Sequence, residues 1–486
     1  MLTTTIFLPL LFAAIASALP SRNAGAIRWM ALIGASLTLA AALTLAAGFN
    51  YADHGLQWRM TTAWIPSINA NYDVAVTGIS LPLIVLTALM LVAVTLYTLR
   101  DHDRAKGHAC LFLLMATGLM GVFASQDLLL FYLFFEIALV PLYFVIGIWG
   151  HENRRYAAMK FFLYTRAGSL AMLLAFLGLY LAMTPHTFSL PAIIAAQPLA
   201  GHATAGGLVL LGLLIGFGVK LPTVPIHNWL PDAHVEAPTE GSVFLAALHL
   251  KLGAYGLIAV LLPTVAAAAT QWWIALVVLG LVSLVYGAFA ALGQGDFKRL
   301  VAYSSINHMG YVMLAAGIWA ATSDPAVRAL ALAGAVFQMV SHGLLTGAMF
   351  FIAGTLQDQA GTRELAAYGG LGRRAPVFAV LLAIAAFGSL GIPGLSGFIA
   401  EFQVIGATLA VDLWAALAVI LGLIVTTGLY LRVVLVMLMR PATSDILHEP
   451  APRRLAVVAV LLALSVLIGI APGLLESMIA SSASLP

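Results

Sequence analysis

Four charged residues stand inside long apolar stretches of this chain. Glu136 lies about nine residues into the run Leu128–Trp149, and Lys251 about ten residues into its own apolar run. Lys220 closes the run Leu208–Val219 and precedes Pro222 and Pro225. Glu401 follows the break Gly391-Ile392-Pro393-Gly394-Leu395-Ser396-Gly397. Three histidines, His249, His308 and His342, fall singly on three different apolar stretches. Acids, amines and imidazoles in apolar surroundings are the parts of a proton relay. A free lysine, with a pKa near about 10.4, holds its proton too tightly to pass it on. Burial weakens that hold and a nearby carboxylate strengthens it. Moving or neutralising the carboxylate therefore switches the lysine between holding and releasing. Histidine, which titrates near neutrality, bridges the gaps. Waters, serines and threonines complete such a path, and no metal is needed.

Glu136 is expected to sit beside Lys220 as a charge-compensated pair. The expected order across the bundle is Glu136, Lys220, Lys251, His308 or His342, then Glu401, with His249 as a further candidate. Ten helical residues at about 1.5 Å each place Lys251 roughly 15 Å deep, near the middle of a bilayer. A charge there costs at least about 2.5–3.5 kcal/mol, so four of them require pairing or hydration. Pro222 and Pro225 cannot donate to the carbonyls of Gly218 and Leu221, which are then expected to hold water or a cation. The bland alternative is that these charges only glue helices together, and a lone buried histidine is usually a satisfied helix contact. Asp127 and Asp296 open spans and read as N-caps. Arg166 and Arg432 are expected near span ends, where they snorkel. Asp232, Glu236 and Glu240 are expected in a solvated loop.

The elements that carry these residues follow from composition. Of 486 residues, 62% are hydrophobic and 8% charged, against about 25% charge in a soluble domain. That excludes a soluble enzyme. Continuous apolar runs, without alternation, exclude a β-barrel. The expected fold is an all-α polytopic membrane protein of about 14 transmembrane helices. Two boundaries are less regular: residues 109–149 split at Ser125-Gln126-Asp127, and 376–409 contains the Gly/Pro break. The single cysteine, Cys110, excludes an iron–sulfur cluster held by this chain, and no phosphate loop or dinucleotide fingerprint occurs. Single histidines without a repeated pair spacing argue against haem.

Lys and Arg are distributed sixteen to two between odd-numbered and even-numbered loops, with only Arg59 and Arg328 in the even ones. The positive-inside rule then puts the odd loops in the cytoplasm and both termini on the outer side. The first span, followed by Arg22 and Arg28, reads as retained and not as a cleaved signal. A faint repeat is also visible: Asp127 and Asp296 are 169 apart, and Pro222 and Pro393, each breaking a span, are 171 apart. Two five-helix repeats, the second inverted, would place helices 7 and 12 as the broken ones. The expected organisation is an N-terminal three-helix segment 1–108, repeats at 109–261 and 272–438, and a C-terminal helix in 439–486.

Several stretches together resemble the antiporter-like subunits of respiratory complex I, the NADH:quinone oxidoreductases. They are Asp127-Leu-Leu-Leu-Phe-Tyr-Leu-Phe-Phe-Glu136, Lys220-Leu-Pro-Thr-Val-Pro-Ile-His-Asn-Trp-Leu-Pro-Asp-Ala-His234, Glu236-Ala-Pro-Thr-Glu240, His249-Leu-Lys251-Leu-Gly-Ala-Tyr-Gly256, Tyr303-Ser-Ser-Ile-Asn-His-Met-Gly310 and Gly391-Ile-Pro-Gly-Leu-Ser-Gly-Phe398. The resemblance covers essentially the whole chain. It implies that Glu136 and Lys220 modulate charge, that Lys251 is the central proton carrier, and that Glu401 is the acid on broken span twelve. Sister subunits and Mrp-type antiporters typically carry lysine there. Many family members have a glutamate in span four, where this chain has Met115-Ala116-Thr117.

The implied function is proton translocation in the membrane arm of a respiratory NADH:quinone oxidoreductase. The chain would be a subunit of that enzyme with no redox site of its own. NAD, FMN, iron–sulfur clusters and quinone are expected in partner subunits, and antiporter-like neighbours L and N beside this one. The implied location is the bacterial inner membrane. The rivals are an Mrp-type sodium/proton antiporter subunit, a membrane subunit of a related hydrogenase or carbon-uptake complex, and a structural scaffold.

Overall fold

The computed structural model describes residues 1–99, 103–441 and 447–481. Arg100, one of the odd-loop cations, lies outside the described residues. The first half of the chain runs α1 (Leu2–Ala18), α2 (Ala24–Ala47), a hairpin of β1 (Gln57–Ile65) and β2 (Ala70–Val76), α3 (Ser80–Tyr97), α4 (Ala105–Ala124) and α5 (Leu128–Trp149). Then come α6 (Arg154–Ala182), α7 (Leu190–Ala196), α8 (Ala203–Lys220), α9 (Trp229–Glu236) and α10 (Thr239–Thr264). The second half continues with α11 (Ala266–Gln271), α12 (Trp273–Leu292), α13 (Phe297–Ala321), α14 (Pro325–Ala360), α15 (Leu371–Arg374) and α16 (Pro376–Ser389). It closes with α17 (Ser396–Val411), α18 (Leu413–Met439), α19 (Pro452–Ile470) and α20 (Gly473–Ala480).

Among the described residues, 11 helices are long and apolar enough to cross a membrane, and α1, α16 and α17 are shorter apolar helices. The fold is thus that of a helical multi-pass membrane protein. Two expected spans are interrupted at their prolines. One breaks between α8 and α9 around Pro222 and Pro225, the other between α16 and α17 around Pro393. The 36-residue α14 is the central column: its most apolar window is wholly buried. It packs against α10, α13, α17 and α19.

Small residues set the closest approaches, as they do where helices pack in lipid. A Cβ on Gly118 would lie 2.6 Å from the backbone N of Ala138, which locks α4 to α5. A Cβ on Gly287 would lie 2.4 Å from the N of Asn307, which locks α12 to α13 in the same way. Gly253 brings α10 within 2.4 Å, measured from its would-be Cβ, of the Phe217 carbonyl at the end of α8. That contact sets the helices of Lys251 and Lys220 side by side.

Both aspartates at span starts are N-caps. Asp127 accepts from the backbone N of Leu129 at 2.9 Å and of Leu130 at 3.2 Å. Asp296 accepts from the N of Arg299 at 2.9 Å. Each also sits in an isolated antiparallel bridge, Asp127 with Ser189 and Asp296 with Glu364. The local backbone geometry therefore recurs at the two positions 169 residues apart.

The β1–β2 hairpin departs from the all-helical expectation. Asp73 on β2 holds Arg59 on β1 through two bonds of 3.1 and 2.8 Å. Asp127 Oδ2 accepts from the N of Asn71 at 2.9 Å, which ties the hairpin to the start of α5.

Candidate functional site: a buried line of lysines, histidines and acids

Lys220 is the last residue of α8, where the exposed carbonyl end of a helix favours a cation. It is completely buried. Its Nζ has no hydrogen-bond partner and lies 5.4 and 5.2 Å from the ring centroids of Phe135 and Phe161. Two ring faces thus stand where a counter-ion was expected.

Glu136 does not make its ion pair with Lys220. Its Oε2 lies 2.5 Å from the guanidinium of Arg166 on α6, which also donates to the hydroxyl of Tyr132 at 3.2 Å. Its other oxygen, Oε1, is buried and unpartnered. Arg166 is accordingly not a snorkelling residue at a span end. It lies twelve residues past Arg154, the first residue of α6, or about 18 Å along the helix. Arg432 does lie toward the end of α18, where it donates to the carbonyl of Leu292. The Gly218 carbonyl, expected to be freed by Pro222, is taken by the N of Thr223 at 2.9 Å.

Lys251 is completely buried. It follows a π-helical turn, Leu245–His249, whose wider coil leaves the Ala246 carbonyl to accept from Lys251 Nζ at 2.7 Å. The same Nζ lies 2.5 Å from Nδ1 of His342 on α14. His342 in turn faces His308 on α13, with ring centroids 5.6 Å apart. Nε2 of His308 meets the carbonyl of Ser389, the last residue of α16, at 3.1 Å.

A cavity of about 10 Å³, roughly what one water needs, is lined by His308, Gln338, His342, Thr346 and Glu401. Four of these lining residues carry buried atoms without a protein partner: His308 Nδ1, Gln338 Oε1, His342 Nε2 and Thr346 Oγ1. Glu401, on α17, is buried, and no cation lies within 4.0 Å of it among the described residues. Its carboxyl lies against Gly391, whose φ is +81° and whose Cβ, if present, would fall 2.1 Å from Oε2.

His249 stands apart from this line. Nε2 meets the carbonyl of Ala138 at 3.0 Å and Nδ1 that of Phe244 at 3.3 Å, so both ring nitrogens are occupied by backbone. It joins α10 to α5.

A family model described as NADH:quinone oxidoreductase/Mrp antiporter, transmembrane, matches residues 125–446. The chain belongs to that family. The match runs from the start of α5 past the end of α18, so it contains every residue of the line above. Within this antiporter family, the chain is similar to NADH-quinone oxidoreductase subunit M of Rhodobacter capsulatus, at 38% identity over 99% of this chain and 95% of that one. Among solved structures it is similar to a chain of respiratory complex I from Thermus thermophilus with bound NADH, with TM-score 0.87 and 28% identity over 100% and 99% of the two chains. A chain of the Mrp complex from Dietzia sp. shares the fold, with TM-score 0.86 and 20% identity over 99% and 96% of the two chains.

Two acids expected to be solvated are not. Glu240 is buried against His108, with Nε2 of His108 3.0 Å from Oε1. Glu236 is buried and accepts from the N of Asn153 at 2.8 Å. Asp232 is half-buried and paired with Lys160 at 2.7 Å. Three more titratable groups had no place in the expected relay. Arg166 is one. Lys298, counted as a loop cation, is buried with Nζ 2.5 Å from the Ala237 carbonyl. His234 is completely buried with both ring nitrogens unpartnered. Lys298 had one signal: it is one of only five lysines in the chain.

Proposed function

We propose that this chain is a proton-translocating membrane-arm subunit of a respiratory NADH:quinone oxidoreductase. The observation that carries this reading is the set of neighbouring buried groups Lys251, His342, His308 and the cavity shared with Glu401. Each group lies near the next, and the set joins α10 to α17 through the middle of the bundle.

Lys251 Nζ donates to His342 Nδ1, so a proton leaving the ammonium has an acceptor already in contact. From His342 it moves through the cavity water position to His308 or Glu401. At the other end, Glu136 and Lys220 set the charge that Lys251 experiences. A carboxylate swung from Arg166 toward Lys220 holds the Lys220 proton, and one drawn back to Arg166 releases it. The five-helix segments 109–261 and 272–438 act as the two halves of this device. Their matching caps and bridges at Asp127 and Asp296 support that division.

Driving a charge against 100 mV costs about 2.3 kcal/mol. This chain carries no nucleotide motif and a single cysteine, so that work arrives from quinone reduction in partner subunits. Those partners hold NAD, FMN, iron–sulfur clusters and quinone. The neighbours in the membrane arm are the antiporter-like subunits L and N. The complex sits in the bacterial inner membrane, with the basic odd-numbered loops in the cytoplasm and both termini outside.

The test is the intact complex in proteoliposomes with NADH and quinone. Acidification of one side should proceed at the same rate in sodium-free and sodium-containing buffer. An absolute sodium requirement would transfer the assignment to sodium/proton antiport.

A further inference from the structure

The line from Lys251 to Glu401 leaves a second group of buried titratable residues unused, beneath the basic-loop face. His108 lies one turn into α4 and Glu240 in the first turn of α10. Their side chains meet at 3.0 Å, and both residues are buried. A cavity of about 20 Å³, enough for a water, is lined by half-buried Arg28 and by Thr95, Thr98 and His108.

On its inner side, Glu240 acts electrostatically on Lys298. Lys298 Nζ lies on the Ala237 carbonyl, three residues before Glu240. Lys298 and Lys251 both act electrostatically on His234. His234 stacks on Phe350 at 4.4 Å, with neither ring nitrogen partnered. Buried Glu240, Lys298 and His234 thus form a set of titratable groups apart from Glu136 and Lys220.

We propose that the His108–Glu240 pair is the proton-uptake site of this chain on the basic-loop face, feeding Lys251 through Lys298 and His234. This rests on the proton-translocation reading and on that face being cytoplasmic. A proton taken up by the His108 imidazole is matched by transfer of the Nε2 proton to the Glu240 carboxylate, 3.0 Å away. Lys298 then lacks one counter-charge and passes a proton to an unpartnered nitrogen of His234. The Glu240 proton refills the Lys298 amine. The net change is one proton taken up at His108 and one delivered to His234, and a water-assisted tautomer exchange resets the imidazole.

Other charged groups face this site from each packed element. Tyr97 on α3 bonds Thr355 at 2.9 Å and lies under the guanidinium of Arg454, which pairs with Asp358 at 2.8 Å. His151, in the loop between α5 and α6, also senses Glu240; burial, with help from Lys298 and Arg363, pushes its pKa down to about 4. Arg363, Asp296 and Glu236 face Lys298.

A purely structural brace between α4 and α10 makes a different forecast, because glutamine keeps the shape and one hydrogen bond of Glu240 but carries no proton. Glu240→Gln and His108→Gln are to be made in the intact complex, with assembly followed on native gels. In proteoliposomes each should pump at least about fivefold more slowly than wild type at pH 7, with the rate maximum moved to lower pH. Glu240→Asp should restore most of the rate. Wild-type pumping with a wild-type pH profile in either assembled variant overturns the proposal. If Glu240→Gln does not assemble, His108→Gln decides by the same readouts. Lys251→Gln in the same assay separates the two readings: if it pumps like wild type, the relay itself fails, whereas if it alone abolishes pumping, only the uptake site fails.

Discussion

Lys251 and His342, 91 positions apart in the chain, meet at 2.5 Å in the middle of the helix bundle. An ammonium and an imidazolium cannot share that contact at low dielectric, so one of the two holds the proton at a time. The π-helical turn before Lys251 and the 36-residue α14 bring them together. Because the Ala246 carbonyl also holds Nζ, the amine has little freedom to move away, and the proton is what moves.

His342→Gln tests this directly. Glutamine still accepts a hydrogen bond from Lys251 but cannot take its proton. Assembly and quinone reduction should survive, while pumping falls at least about tenfold. Unchanged pumping would exclude His342 from the path.

Arg166 competes with Lys220 for Glu136. Glu136 is held at 2.5 Å by Arg166, and its other oxygen is buried without a partner. Arg166→Gln should release the carboxylate toward Lys220 and slow turnover several-fold by holding the Lys220 proton. Arg166→Lys should restore much of the rate. The double variant Arg166→Gln with Glu136→Gln should be no slower than Glu136→Gln alone; additive losses would show that the two residues act independently.

Gly391 shapes the acid end. Its left-handed φ of +81° costs any other residue roughly 1–2 kcal/mol, and a methyl group would collide with the Glu401 carboxyl. Gly391→Ala should therefore reduce pumping without removing a titratable group. An infrared difference spectrum should show the Glu401 carboxyl band displaced. An unmoved band would mean that Gly391 does not position it.

What could be read from residue types alone had a common cause. Glu136, Lys220, Lys251 and Glu401 stood out because long apolar windows put them at depth, and depth follows from counting along a helix. Pro222 and Pro393 marked the broken helices because proline removes a donor wherever it sits. Partners were not legible. Whether Glu136 turns to Lys220 or to Arg166 depends on the relative rotation of α5, α6 and α8, which apolar runs do not specify. Lys298 and Glu240 lie within one turn of a helix start, where exposed and buried charges look alike in sequence. The hairpin between α2 and α3 is not legible from apolar runs, because β1 is almost wholly exposed and buries no apolar face.

The most direct measurement is proton pumping by the reconstituted complex carrying Lys251→Gln, beside Lys220→Ala and wild type, with assembly verified in each. Pumping driven by NADH should disappear in Lys251→Gln and fall severely in Lys220→Ala. Wild-type pumping in both, in fully assembled complexes, would contradict the relay and leave these buried lysines as structural.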